Sequence, residues 1–392
     1  MRSGNGLSPV DVIAGIPVGA LEAPDIDIAK SSPPLADPWM ALEEALLPAL
    51  AAPPVAISFS GGRDSSLLAA VAVSAAARHG LPAPVAITMR FPHAADTHES
   101  DWQEAVIRRL GITNWEVLTL GDDLDFLGPL ATSGLERDGI HFPPNVHSFV
   151  PVARALGRGT VVTGVGGDDL FAGWRWRGRE AARRRPLVDG LSRGPKSVGS
   201  LFLGAAPGVV RRSVFQARVS KGLHRSTERY RWLTAVGRRA VLPGLVDAAD
   251  QPVQWPDFVS WTARRRYMVE MLASLHRLAQ VEGVEASVPL LEPAVLSAIR
   301  TARGGRGWVS RSEAMMDIAQ NRLPHEVLTR RSKAEFAEAF WGPRTRAFVE
   351  EWTGTGVDRS LVDIEALRTE WRAERPDFHS MLLLQEAWLH QR

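Results

Sequence analysis

The chain has 392 residues, 45% hydrophobic and 23% charged, with a net charge of +2: the balance of a soluble globular protein long enough for two lobes. It contains no cysteine, which excludes disulfides, thiolate zinc sites and a cysteine nucleophile. No apolar run approaches the roughly 20 residues of a membrane helix, and Met1-Arg2-Ser3-Gly4-Asn5 has no signal-peptide pattern, so a cytoplasmic protein without a membrane partner is expected.

Residues 1–37 are rich in Pro, Ala and Asp, and Ser31-Ser32-Pro33-Pro34 breaks any regular pattern, so an irregular lead-in is expected. Pro38 to Leu50 carries Met40, Leu42, Ala45, Leu46 and Leu50 at helical spacing. An apolar strand, Val55 to Phe59, then runs into Ser60-Gly61-Gly62, and an Ala/Leu/Val-rich helix follows from Asp64 or Ser65 to about Arg78. Pro84 to Arg90 reads as a second strand, His98 to Leu110 as a helix and Trp115 to Leu120 as a third strand. A long polar loop with Asp122, Asp123 and Asp125 leads to a helix from Asn145 or Val146 to Leu156, and Thr160 to Gly164 is a fourth strand. Strands alternating with helices in this way predict an α/β fold with a doubly wound parallel sheet over residues 38–172. Ligands of such sheets sit beyond the carboxyl ends of the strands, which places Thr88 and the Gly164–Asp169 turn beside Gly61-Gly62.

Beyond Gly173 the strand pattern stops, and residues 173–392 read as a basic helical segment followed by a helical lobe, with breaks near Gly194-Pro195, Pro207-Gly208 and Pro243-Gly244. Trp261 to Ala279, Glu313 to Asn321 and Met381 to His390 are its clearest helices. From Ala172 to Arg239 there are seventeen Lys/Arg against Glu180, Asp189 and Glu228, a local balance of +14 that leaves −12 for the rest. Trp174, Trp176, Phe202, Phe215, Tyr230 and Trp232 lie among these arginines. Such a run is either a solvated face or a docking surface for an acidic peptide or carrier protein.

Two turns carry the chemistry. In Ser60-Gly61-Gly62-Arg63-Asp64-Ser65-Ser66, adjacent glycines let backbone amides converge on an anion at a helix N-terminus. Asp64 sets an acid beside that site, which suits a Mg²⁺ between the two. In Thr163-Gly164-Val165-Gly166-Gly167-Asp168-Asp169 a second glycine-rich turn brings Asp168 within reach of the same metal.

The first turn resembles the pyrophosphate-binding loop (PP-loop) of N-type ATP pyrophosphatases, Ser-Gly-Gly-x-Asp-Ser, enzymes that cleave ATP between the α and β phosphates. The second resembles the Gly-Glu-Gly-Ala-Asp-Glu-Leu-Phe motif of the synthetase domain of asparagine synthetases. Val284 to Glu292 is similar to that family's Glu-x-Arg-x-Pro-Phe-Leu-Asp segment. Arg311 to Met316, Leu323-Pro324-His325-Glu326-Val327 and Arg331-Ser332-Lys333-Ala334-Glu335-Phe336 resemble its later motifs. The resemblance covers residues 55–340 and implies an adenine nucleotide alpha-hydrolase-like sheet with a mainly helical C-terminal lobe. It implies ATP and Mg²⁺ as cofactors, with Ser60, Gly61, Gly62, Asp64, Ser65, Ser66, Thr88, Gly164 and Gly166 holding ATP and pyrophosphate. Asp64 and Asp168 would hold the metal, Lys333 and Asp168 would be catalytic, and Val165, Ser287 and Glu292 would lie in the substrate region. Arg330 and Arg331 could take part or be surface charge.

Three departures are informative. The family's amino-terminal glutaminase domain and its cysteine have no counterpart, so ammonia from glutamine is not expected. Val165 stands where asparagine synthetases have an acid near the amino-acid substrate, and Ser287 where they have an arginine, which argues against free aspartate. The expected reaction is adenylation of a small-molecule or peptide carboxylate, followed by attack of an amine. The Phe340–Arg344 and Leu382–Leu389 stretches and the Arg63 form of the loop are similar to actinobacterial lasso-peptide cyclases, so macrolactam or isopeptide formation in natural-product biosynthesis is the favoured form. An asparagine synthetase-like enzyme fed with free ammonia or by a partner glutaminase is the alternative. A tRNA-modifying, nucleic-acid-binding PP-loop protein is disfavoured by the C-terminal motifs, and a non-catalytic scaffold by Asp64, Asp168 and Lys333.

Overall fold

The computed structural model describes residues 6–21, 37–93, 100–177, 203–225, 229–329 and 337–392. Five parallel strands form one sheet: β1 (Val55–Ser58), β2 (Val85–Arg90), β3 (Trp115–Thr119), β4 (Thr160–Val162) and β5 (Glu285–Ser287), in the order β3-β2-β1-β4-β5. Register is fixed through Ile57, which pairs with Ala86 on one side and Val162 on the other, while Val162 pairs with Ser287. Val55, Ala56, Ile57, Val161 and Val162 are almost fully buried, as expected of central parallel strands covered on both faces. The chain leaves β1 toward β2 and β3, then returns to β4 on β1's other side. The point where strand order reverses therefore lies between β1 and β4, and both glycine-rich turns leave the sheet there.

Up to residue 172 the described α-helices are α1 (Pro9–Ala14), α2 (Pro38–Ala51), α3 (Arg63–His79), α4 (Ser100–Leu110), α5 (Pro129–Asp138), α6 (Phe149–Leu156) and α7 (Gly167–Ala172). α3 packs a strip of Ala69, Ala72, Ala75 and Ala76 with Leu67 and Leu68, which lets it lie close to β1 and α2. Alanine has the highest helix propensity, so the same residues make the helix and its close contact.

Several expectations are corrected. The lead-in is not irregular throughout: Ser8 caps α1 in a reciprocal box with Asp11, and Leu7, Val12, Ile13 and Ala14 are buried. The loop after β3 holds α5. A fifth strand lies beyond Gly173, three residues paired on one side only. Trp261 to Ala279 divides into Trp255–Ala263 and Arg266–Val281. Pro243 does not break the chain but sits inside the helix Ala235–Ala249, whose Val241 and Val246 are held in the core. The start at His98, the break at Gly194-Pro195 and Phe202 lie outside the described residues.

Two hydrophobic clusters hold the protein together, and each draws on both sides of residue 172. One surrounds the sheet and joins α2, α3 and α6 to Trp174, Trp255, Phe258, Leu296 and Ile318. The other joins α1 to Phe126, Trp232, Trp352, Trp371 and the Met381–His390 helix. Trp174, Trp176, Phe215, Tyr230 and Trp232 of the basic segment are all buried, so these rings are core and not a stacking surface. Among the described residues no helix is long and apolar enough to cross a membrane.

Candidate active site

The loop after β1 is built from the backbone outward. Gly61 has φ +78°, and a Cβ there would lie 2.7 Å from the Gln103 side chain, so only glycine lets α4 close over the turn. Gln103 donates from Nε2 to the Ser60 carbonyl at 3.1 Å and pins the start of the loop. The Gly62 amide donates to Ser60 Oγ at 3.1 Å, Ser65 Oγ donates to the Gly62 carbonyl at 3.1 Å, and the two serine hydroxyls lie 3.2 Å apart. Ser60 and Ser65 thus shape the cradle at the N-terminus of α3, where the helix dipole favours an anion. Ser66 is fully buried, and its hydroxyl has no hydrogen-bond partner among the described residues. Thr88 is also buried: its hydroxyl donates to the Phe59 carbonyl at 2.7 Å and accepts from Trp115 Nε1 at 2.9 Å, tying β2 to β3 and to the residue after β1.

The second turn packs directly on the first. A Cβ on Gly164 would lie 3.1 Å from that of Asp64, and one on Gly167 would lie 2.3 Å from the Asp64 carboxyl carbon. The first turn of α7 therefore comes close to Asp64 because position 167 is bare. Gly166 takes φ +88° to start that helix, and Val165 is half-buried against the core. Asp64 and Asp168 both reach the guanidinium of Arg311. Its Nη2 lies 2.5 Å from Asp64 Oδ2, and its Nη1 donates to Asp168 Oδ1. Burial works against the charge on Arg311, but Asp64 and then Asp168 outweigh it and hold the pKa above the usual arginine value. Arg311 opens the helix Arg311–Ala319, capped by Ser310, and Arg63 donates to Ser312 Oγ at 3.1 Å, so the helical lobe closes onto the loop.

The other expected residues are placed as follows. Ser287 ends β5, and its carbonyl accepts from the Thr163 amide at 2.9 Å, just before the second turn. Glu292 is exposed and stands at the N-cap of the helix Pro293–Gly305. Lys333, Arg330 and Arg331 lie outside the described residues. Two residues escaped the sequence reading: Arg311, quoted only as part of a motif, and Tyr267, whose hydroxyl donates to Asp169 Oδ1 at 2.7 Å. Burial first, then the charge of Asp169, pushes the Tyr267 hydroxyl far above its usual pKa, which keeps it a donor. A signal for Arg311 exists in retrospect, since a cation in the first turn of a helix opposes the dipole and needs acids nearby.

Two glycine-lined turns at the switch point of a doubly wound sheet, with acids converging on one cation, define a phosphate-handling α/β protein. The chain belongs to the asparagine synthase family, whose model matches residues 41–390. At the level of that family it is an ATP-using carbon–nitrogen ligase. No curated protein matches the chain.

Proposed function

We propose that the protein adenylates a substrate carboxylate with ATP, releasing pyrophosphate, and passes the acyl group to an amine, releasing AMP. The observation that carries this is the convergence of Asp64 and Asp168, from different strand ends, on one cation beside the Ser60–Gly62 cradle. The guanidinium stands in for a cation there, so the two carboxylates fit Mg²⁺, which when bound would neutralise charge on pyrophosphate. The loop amides and the N-terminus of α3 bind and orient the phosphates. Arg311 is placed to pair with phosphate oxygens once the acids take up another cation, and Lys333, by its motif position, adds positive charge. In the first step a carboxylate oxygen bonds to the α-phosphorus and the bond to pyrophosphate breaks. In the second the amine nitrogen bonds to the acyl carbon, the mixed-anhydride bond between that carbon and the phosphate oxygen breaks, AMP leaves with the electron pair, and the amine loses a proton.

Val165, half-buried and apolar at the strand end, supports a substrate other than free aspartate. With the similarity to lasso-peptide cyclases, it favours macrolactam, isopeptide or tailoring amide formation in natural-product biosynthesis over amidation by ammonia. The basic segment would then dock an acidic peptide or carrier protein, an attraction screened within about 8 Å at physiological salt. Asp64→Asn and Asp168→Asn should each abolish pyrophosphate release while leaving the circular dichroism spectrum unchanged. Near wild-type release from either variant would overturn the assignment.

A further inference from the structure

The loop that leaves α7 alternates two kinds of side chain. Trp174 and Trp176 are buried, and their indole nitrogens donate to the Pro252 carbonyl at 3.2 Å and the Gln251 carbonyl at 2.9 Å. The Gln251 side chain also closes on the loop, accepting from the Arg175 amide at 2.8 Å and donating to the Gly173 carbonyl at 3.1 Å. The loop is thus fixed, and with it the arginine that follows each tryptophan. Arg175 is laid over the ring of Phe215, 5.0 Å from its centroid, and Arg177 Nε donates to the Trp174 carbonyl at 2.9 Å. No carboxylate answers either charge among the described residues: desolvation lowers the pKa of both, and the like charge of Arg218 lowers that of Arg175 further. Arg212, Arg218 and Lys221, exposed on the helix Gly208–Arg225, likewise make no ion pair among the described residues, whereas Arg211 is matched by Asp250 at 2.6 Å.

Phe215 shares a face of that helix with Val219, Gly222 and Leu223, at i, i+4, i+7 and i+8. The last three line a cavity of about 560 Å³ with Gly173, Phe258 and Trp261, a volume within the roughly 300–1,000 Å³ that suits an organic group. Arg175 therefore stands one turn from the cavity's edge, and Arg218 and Lys221 each precede a lining residue. Ionisable groups of both signs, Asp169 against Arg229 and Arg265, also line the cavity, so shape and apolar area, not charge, decide what enters. Guanidiniums without acids on a fixed loop suit carboxylates or phosphates, which they grip through paired hydrogen bonds. Two observations favour the carboxylates of a peptide over a nucleic acid. The rings of the basic segment are buried and cannot stack bases, and the charges border an apolar space that a phosphate backbone would leave empty. From Arg212 to Lys221 the charges spread over about 14 Å of helix, the span of about five extended residues. We propose that this surface docks an extended acidic peptide segment, with its carboxylates on Arg175, Arg177, Arg218 and Lys221 and a large apolar side chain in the cavity. This rests on the docking role proposed for the basic segment and gives it a place and an occupant.

The probe is an acetylated, amidated peptide, Glu-Asp-Phe-Asp-Glu, carrying a fluorophore, and its binding to the full chain is followed by anisotropy. Glu-Asp-Gly-Asp-Glu controls for the apolar side chain, Lys-Lys-Phe-Lys-Lys for the charge, and a short oligouridylate for nucleic acid. The wild type should bind the probe with a Kd below about 1 mM, and more weakly as salt rises. Replacing the phenylalanine of the probe by glycine should weaken binding about tenfold, the worth of burying one ring. Gly222→Trp should act likewise: Gly222 is exposed in the lining, and a Cβ there meets nothing within 4 Å, so the indole covers the space while helix propensity improves. Arg175→Gln combined with Arg177→Gln should weaken binding by about tenfold or more through lost charge-assisted hydrogen bonds, with the circular dichroism spectrum unchanged. The proposal is overturned if the probe does not bind, if the glycine or lysine peptide binds as tightly, if oligouridylate binds more tightly, or if the double variant binds like wild type. MgATP should raise the unfolding midpoint of wild type and the double variant alike. Loss of that response with peptide binding intact contradicts the adenylation reading and leaves the docking site standing, and an MgATP response without peptide binding contradicts the docking site.

Discussion

Arg311 holds together two acids that would otherwise repel each other across the join between the first and second turns. With side chains 12%, 11% and 50% exposed for Arg311, Asp64 and Asp168, the cluster is open to water on its Asp168 side. Arg311→Met should therefore lower stability by about 2 kcal/mol, less than for a fully buried pair. Mg²⁺ alone should raise the unfolding midpoint of this variant more than that of wild type, because the freed carboxylates then bind the ion. An equal Mg²⁺ response in both would show that Arg311 does not compete for the site. A second residue-scale expectation concerns His147, buried against Phe126 and Phe340, with a ring nitrogen 2.9 Å from the Leu124 carbonyl. Burial lowers its pKa from 6.5 to about 4, so the unfolded chain takes the proton first. The stability gained from neutral His147 is complete above pH 6.5 and is lost as pH falls toward 4, about 3 kcal/mol in all. His147→Phe should flatten the fall of the urea midpoint across that window, and an unchanged slope would contradict this. At this scale Asp64 and Asp168 were legible because short motifs with fixed spacing carry them. The Arg311 contact was not, since 247 residues separate it from Asp64 and no local pattern reports the meeting.

The elements that sequence reading found are those with strong local signals. β1, β2 and β4 are apolar runs bounded by turns, and α3 follows its glycines directly. β5 escaped because three residues, Glu-Ala-Ser, carry no periodicity, and its place is set by pairing with β4. α5 escaped because Gly128 gives it no side-chain cap and its few apolar residues, Leu130, Ala131 and Leu135, make a weak helical pattern. The polar loop before it also hid a structural acid. Asp125 is fully buried and accepts from the amides of Leu127 at 3.2 Å and Arg344 at 2.7 Å, and from the Thr345 amide and hydroxyl. It ties the loop after β3 to the start of the helix Pro343–Glu351. Asp125→Ala should cost about 3 kcal/mol, because several buried donors lose a charged acceptor together, and denaturant titration measures it. A loss below about 1 kcal/mol would mean that water replaces the carboxylate. α1 is anchored in the same manner: Arg266 grips both oxygens of the buried Asp11, at 3.1 and 2.9 Å.

At the scale of the whole molecule, the two cores join the N-terminal segment, the sheet and the helical lobe, so the candidate site rests on a frame drawn from both sides of residue 172. The sheet order puts both glycine-rich turns at one switch point, and the helical lobe supplies Arg311 from the other side. Composition exposed the charge asymmetry but not where its aromatic rings point, because burial depends on tertiary partners that the local sequence does not name. A family of ATP-using ligases leaves one question that decides the chemistry, namely which phosphate bond breaks. The most direct measurement is separation of the nucleotide products after incubation with MgATP, a pool of peptide and small-molecule carboxylates, and a primary amine. AMP and pyrophosphate in equal amounts, absent for Asp64→Asn, are expected; ADP and phosphate as the stoichiometric products would contradict the account.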